Sequence, residues 1–195
     1  CSTTNKEILS RSETLESKPI LEEKIEKKET PSWVSTGSGV SVSDNHESKD
    51  AFFGVGEKKY IESPDKVQMD ADDAARNSLI RVLGDFNKGL MRYHQAVKDP
   101  REPGWLDEEK LKTVINDTAA TLLLDAKIVD HWNQSDSNTS FSLARLDFKK
   151  VQTAFASNNH LNRNEKTSMK FISKWVFKNM QLQKERKLLF KKVSE

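Results

Sequence analysis

Two glycines inside the most strand-like run of the chain constrain its fold more than any other feature. The run is Ala51-Phe52-Phe53-Gly54-Val55-Gly56. Glycine weakens a strand interior and often marks a place where another backbone comes close. The next segment, from Asp65 to about Gly84, supplies that neighbour. Its clearest part is MDADDAARNSLIRVLG, where Met69, Ala71, Ala74, Ala75, Leu79, Ile80, Val82 and Leu83 form a broad apolar helical face. The small residues come first, so the helix can lie close to a sheet. Asp70, Asp72 and Asp73 sit in its early turns, where carboxylates suit the positive helix end, and Gly84 is the expected stop. A nucleotide loop is a poor reading of GVG, because neither GxGxxG nor GK[ST] follows. The aspartates lack the glycine and distal glutamate of an EF-hand loop.

The remaining patterns predict an α+β fold: a small antiparallel sheet flanked by helices. Phe86 to Val97 alternates loosely and reads as a strand or extended arm, with Leu90, Tyr93 and Val97 as candidates for burial. Pro100, Pro103 and Gly104 mark a turn region. Asp107 is the expected N-cap of a helix whose apolar side carries Leu111, Val114, Ile115, Thr118 and Leu122. A hairpin follows, with strands Ala126 to Trp132 and Ser140 to Asp147 joined by a polar connection. Asp130 and Arg145 are candidates for a cross-strand ion pair. Asp147 then caps a third helix, FKKVQTAFASN, and a last helix runs from about Thr167 to Val193.

The ends differ in character from the middle. Residues 2–30 are low in apolar content and read as a tether. Pro31-Ser32-Trp33-Val34 begins the packed part, and the stretch STGSGVSVSDNHESKD reads as loop. The expected organisation is a tether over 1–30, an α+β domain over 31–160 and a basic amphipathic helix over 161–195. The formal charge of +2 is too small to point to nucleic acid. Its distribution says more, since residues 165–195 hold nine Lys or Arg against three Glu. Lys170, Lys174, Trp175 and Lys178 are the candidate contact residues on this helix. Three uses are open: packing on its own domain with a solvated basic side, contact with a neighbouring protomer, or adsorption to anionic lipid or cell-wall polymer.

The only cysteine is Cys1. It leaves no internal disulfide, CxxC pair or thiolate zinc cluster. A chain that starts on a lone Cys resembles a bacterial lipoprotein after removal of its signal peptide, which makes Cys1 the expected site of a covalent lipid. Ser2, in place of an aspartate, fits an outer-membrane destination. No run of the chain approaches the 18 or more apolar residues of a membrane span.

Several segments together resemble a group of small envelope lipoproteins. The group includes the Helicobacter membrane-associated antigenic lipoprotein (the Lpp-twenty type) and the flagellar lipoprotein FlgP. The pieces are Pro31-Ser32-Trp33-Val34, FFGVGE at Phe52 to Glu57, DADDAARNSLIRVL at Asp70 to Leu83, and AKIVDHW at Ala126 to Trp132 followed by FSLARLDFKKV at Phe141 to Val151. No single piece is specific; their order is, and it covers roughly residues 31–155. The basic tail after Asn158 departs from the group. The resemblance implies a non-enzymatic, lipid-anchored outer-membrane protein with its domain in the periplasm or on the cell surface. It further implies self-association within an envelope assembly, first of all one associated with the flagellar motor and needed for motility. The alternative is a monomeric lipoprotein that binds peptidoglycan, a protein or a host surface.

The residues themselves offer little chemistry. His46, His94, His131 and His160 lie far apart, with no HExxH and no pair at ligand spacing. No GxSxG elbow surrounds a serine. Asp130 and His131 are neighbours in a strand, so their side chains point to opposite faces. The expectation is no enzyme activity, no metal and no cofactor beyond a lipid on Cys1.

Overall fold

A computed structural model describes residues 29–41, 50–59, 64–97 and 99–194. Cys1, His46 and most of the expected tether lie outside these residues. The fold is α+β. A short helix α1 (Ser32–Thr36) leads into a two-residue strand β1 (Gly39–Val40), followed by β2 (Ala51–Lys59). Helices α2 (Pro64–Ala96) and α3 (Glu108–Asp125) come next. The hairpin of β3 (Lys127–Gln134) and β4 (Thr139–Asp147) follows, then α4 (Phe148–Ser157) and α5 (Arg163–Ser194). The four strands form one antiparallel sheet in the order β1-β2-β4-β3.

The glycines do what their placement predicts. A Cβ on Gly54 would collide with the Ala75 carbonyl oxygen and the backbone of Leu79, and one on Gly56 with the Ala71 carbonyl and the backbone of Ala75. β2 and α2 therefore meet backbone to backbone, with Ala71 and Ala75 fully buried between them. The register sets Gly54 against Ala144 and Gly56 against Ser142 on β4, so α2 lies on small residues from both strands. Ser142 donates to Asp72 Oδ1 at 2.6 Å, and His131 Nε2 lies 2.8 Å from the same oxygen. Burial disfavours ionisation of Asp72, but the hydroxyl, the imidazole and Gln68 outweigh it and hold its pKa low. This aspartate ties the helix to the sheet; as the ninth residue of α2 it lies past the first turn, so the expected helix-end role does not hold.

The expected extended arm at 86–97 does not exist. α2 runs on through Gly84 to Ala96. Leu79, Leu83, Phe86, Leu90 and His94 lie along one helical face, all buried. A mid-helix glycine costs only about 1 kcal/mol, far less than burying Phe86 and Leu90 returns. Of the arm's candidates for burial, Leu90 is buried, Tyr93 half-buried and Val97 exposed.

α3 matches its reading closely. Asp107 accepts from the Lys110 N–H at 2.8 Å, and the buried residues are Leu111, Val114, Ile115, Thr118 and Leu122. The stretch after Thr36 is not all loop, because β1 pairs with Phe52 and Phe53 there. The Asp130–Arg145 pair also fails. The hairpin register sets Asp130 opposite Leu143, and a bulge at Val129 then sets Lys127 opposite Arg145. Arg145 instead binds Asp147 at 2.8 Å, which turns Asp147 away from capping α4. Asp130 accepts from the Trp33 indole at 2.8 Å, so α1, which enters beside the β1 edge, reaches the β3 edge.

The last helix starts four residues earlier than expected. Asn162 Oδ1 accepts from the Glu165 N–H at 3.0 Å, and Glu165 returns a bond to the Asn162 N–H at 2.7 Å. This reciprocal capping box satisfies two otherwise orphaned donors. Glu165 is buried and also binds Lys110 at 2.7 Å. α5 belongs to the same core as the rest: Phe177 stacks on Phe148 and meets Phe52 edge-on, and Met169 and Val176 join them.

Candidate functional site

The groove between α2 and α5 is built by a change of residue type along one helical face. The inward stripe of α5 runs Met169, Ser173, Val176, Met180, Lys184, Lys187, Lys191, at spacings of three and four. Its first part fills the core: Met169, Ser173 and Val176 are buried. Its second part substitutes lysines for core residues at the same angle. Where the lysines begin, α5 forms one wall of a groove of about 850 Å³ with α2 and the α1–β1 segment.

Each wall contributes cations. α2 supplies Lys88 and Arg92, and α5 supplies Lys184, Lys187 and Lys191. Lys88 is held by Asp85 at 3.2 Å. Among the described residues no carboxylate pairs with Arg92, Lys187 or Lys191. Lys184 reaches back to donate to the Ser38 carbonyl at 2.6 Å and the Gly37 carbonyl at 3.0 Å. Gly39 has φ +146, and a Cβ there would lie 2.7 Å from the Lys184 ammonium, so glycine makes room for the lysine. Burial, and then the charge of Lys187, push the Lys184 pKa down. The groove thus concentrates positive charge that its own residues do not neutralise.

The floor is apolar. Val40, Val82 and Val176 are buried beneath it, and Met180 and Leu188 are half-buried. At one end Tyr93 and Trp175 close it, with ring centroids 4.8 Å apart. Gly89 permits this approach of the helices, since a Cβ on it would strike Val176. Tyr93 also borders a second, smaller cavity of about 400 Å³, lined by His94, Trp105, Phe171 and the Pro103–Gly104 turn. His94 stacks on Trp105 there at 4.1 Å and bonds through Nε2 to the Leu106 carbonyl. A carbonyl only accepts, so Nε2 carries the proton.

The predicted contact residues separate. Trp175 lines the groove. Lys170, Lys174 and Lys178 are exposed on another side of α5, and Lys178 donates to Gln181 at 2.8 Å. The residues missed were Lys184, Lys187 and Lys191, with Lys88 and Arg92 opposite. The available signal was positional: the three α5 lysines continue the apolar stripe, whereas the predicted ones lie beside it.

Among the described residues no group of three His, Cys, Asp or Glu side chains could hold a metal ion. No helix among them is long and apolar enough to cross a membrane. Compared with protein-family models and with curated proteins, the chain matches none.

Proposed function

We propose that the protein is a binding module of the bacterial cell envelope, and that the groove between α2 and α5 holds a negatively charged partner. The observation that carries this reading is the replacement of core residues by Lys184, Lys187 and Lys191 on the inward stripe of α5. Lys184 is partly desolvated and repelled by Lys187, and no carboxylate among the described residues pairs with Lys187 or Lys191 beside it. Such an arrangement makes physical sense where a ligand supplies the counter-charge. The envelope setting is supported by the lipoprotein-like segments between residues 31 and 151, and lipid attachment at Cys1 on the outer membrane belongs to the same proposal. The test is the affinity of the whole chain for an acidic polymer such as polyglutamate across a salt series. Affinity should fall with salt and drop in an Arg92→Glu, Lys187→Glu variant; equal binding by both proteins contradicts the site.

A second reading, self-association within a structural assembly such as one at the flagellar motor, is favoured by a separate observation. Leu182, Leu189 and Val193 on α5 are 53%, 63% and 85% exposed, and they fall on one outer stripe of the helix. A neighbouring copy packed there would cover them, and confinement to a membrane would raise the effective concentration. Sedimentation of the wild type and Leu189→Glu over a concentration range tests it, with motility after gene deletion as the cellular check. A wild type that stays monomeric on a membrane mimic removes this reading.

A further inference from the structure

The groove has a shape as well as a charge. α2 and α5 run antiparallel along it: Gly89 meets Val176, and one turn later Tyr93 meets Trp175 and Phe171. The groove-lining part of α2 spans Val82 to Ala96, roughly 22 Å at the helical rise. Its cations stand on two opposed rims, and apolar side chains lie between them.

We infer that the occupant of this groove is an acidic amphipathic helix of a partner protein, about four turns long, laid between α2 and α5. This inference rests on the binding function proposed above and names its ligand class. An apolar stripe on such a helix would sit over Met180 and Leu188, and its flanking carboxylates would meet Arg92 on one rim and Lys187 and Lys191 on the other. Helix-in-groove recognition works by this division of labour, with apolar anchors in the floor and charges at the edge. A free phosphate or polyphosphate would satisfy the rims and leave the apolar floor wet. A membrane surface would meet the exposed lysines outside the groove before those within it, because a flat surface cannot enter a concave channel. Burial, and then Lys187, lower the Lys184 pKa, and an incoming carboxylate would offset both the lost hydration and the repulsion. Lys184 itself, bonded to two carbonyls, would act as a fixed post at the charged end, with Tyr93 and Trp175 receiving apolar side chains at the other.

The experiment uses the full chain and four probes. The first is a synthetic four-turn peptide with leucines on one helical face and glutamates flanking them. The others are a scrambled peptide of the same composition, inorganic tripolyphosphate, and phosphatidylglycerol vesicles. The designed peptide should bind at least about tenfold more tightly than the scrambled one, and Arg92→Glu with Lys187→Glu should weaken it by about tenfold or more. Both substitutions are at exposed positions, and an unchanged circular dichroism spectrum and melting temperature confirm the fold. Equal binding of the two peptides, or displacement of the designed peptide by equimolar tripolyphosphate, overturns the helix and leaves the anionic site standing. Vesicle binding that depends on Arg92 and Lys187 as strongly as peptide binding overturns it in favour of lipid. Failure of every anion to bind overturns both the helix and the proposed function.

Discussion

Helix α2 has two interfaces, and they are opposites. On the sheet side it meets Gly54 and Gly56 so closely that no added methyl fits there, with Ala144 and Ser142 beside them on β4. On the α5 side Gly89 packs against the Val176 side chain, and the helices then open into a groove walled by lysines. The first interface is sealed, and its polar groups Asp72, Ser142 and His131 bond to one another. The second leaves cations and apolar surface with unmet demand. Stability resides where the helix is sealed; recognition is available where it is not.

The contrast can be broken most severely on the sealed side. Gly56→Val should abolish cooperative folding or cost more than about 4 kcal/mol, since backbone atoms would have to move. Thermal melting measures this, and a near-native melting temperature would mean the contact is not close. Next in size is the Glu165 box that starts α5. Glu165→Ala removes a buried carboxylate from Lys110 and from the Asn162 N–H, and should cost about 3 kcal/mol in denaturant unfolding. The same group gives a pH dependence. Burial works against ionisation of Glu165, but Lys110 and the Asn162 N–H prevail and lower its pKa below the ordinary glutamate value. Its folded pKa lies below its unfolded pKa, so its contribution is fully present above the unfolded value and is lost as pH falls through the folded one. Stability should therefore decline in acid more steeply for the wild type than for Glu165→Gln.

Smaller effects sharpen the comparison. Gly84→Ala places a methyl in open space on a helix interior and should stabilise by about 0.5 to 1 kcal/mol. A loss would mean the helix needs its glycine there. Lys187→Glu on the open side should shift stability by no more than about 0.5 kcal/mol, because Lys187 is exposed and unpaired among the described residues. A large loss would mean the lysine stripe is structural.

The parts legible in the sequence were those whose signals are local. The burial pattern of α3 follows from apolar spacing under a clear N-cap, and the hairpin from two short alternating runs around a polar turn. The close contact of β2 and α2 was readable because glycine and alanine announce it on both partners. Elsewhere the deciding interactions are distant. Gly84 looks like a stop until Phe86 and Leu90 are known to share a core with Phe52 and Phe148. The Asp130–Arg145 expectation failed on register, because the hairpin sets Asp130 opposite Leu143, two residues from Arg145. β1 is only two residues long and exists because β2 offers an edge. The Asn162–Glu165 cap is written in the sequence as an N-cap residue followed three positions later by a glutamate. Along α5, lysines 170, 174 and 178 face solvent, whereas 184, 187 and 191 continue the apolar stripe and line the groove. Each set repeats every three or four residues, so only the phase of each set relative to the apolar stripe separates them.

The most direct test of the account is a ¹⁵N–¹H correlation spectrum recorded during titration with the acidic amphipathic peptide. The account predicts that shifts concentrate at Lys88 to Tyr93 on α2 and at Lys184 to Lys191 on α5, and spare Lys170, Lys174 and Lys178. Shifts confined to that outer lysine face, or spread evenly over all lysines, would contradict the claim that the groove between α2 and α5 is the binding site.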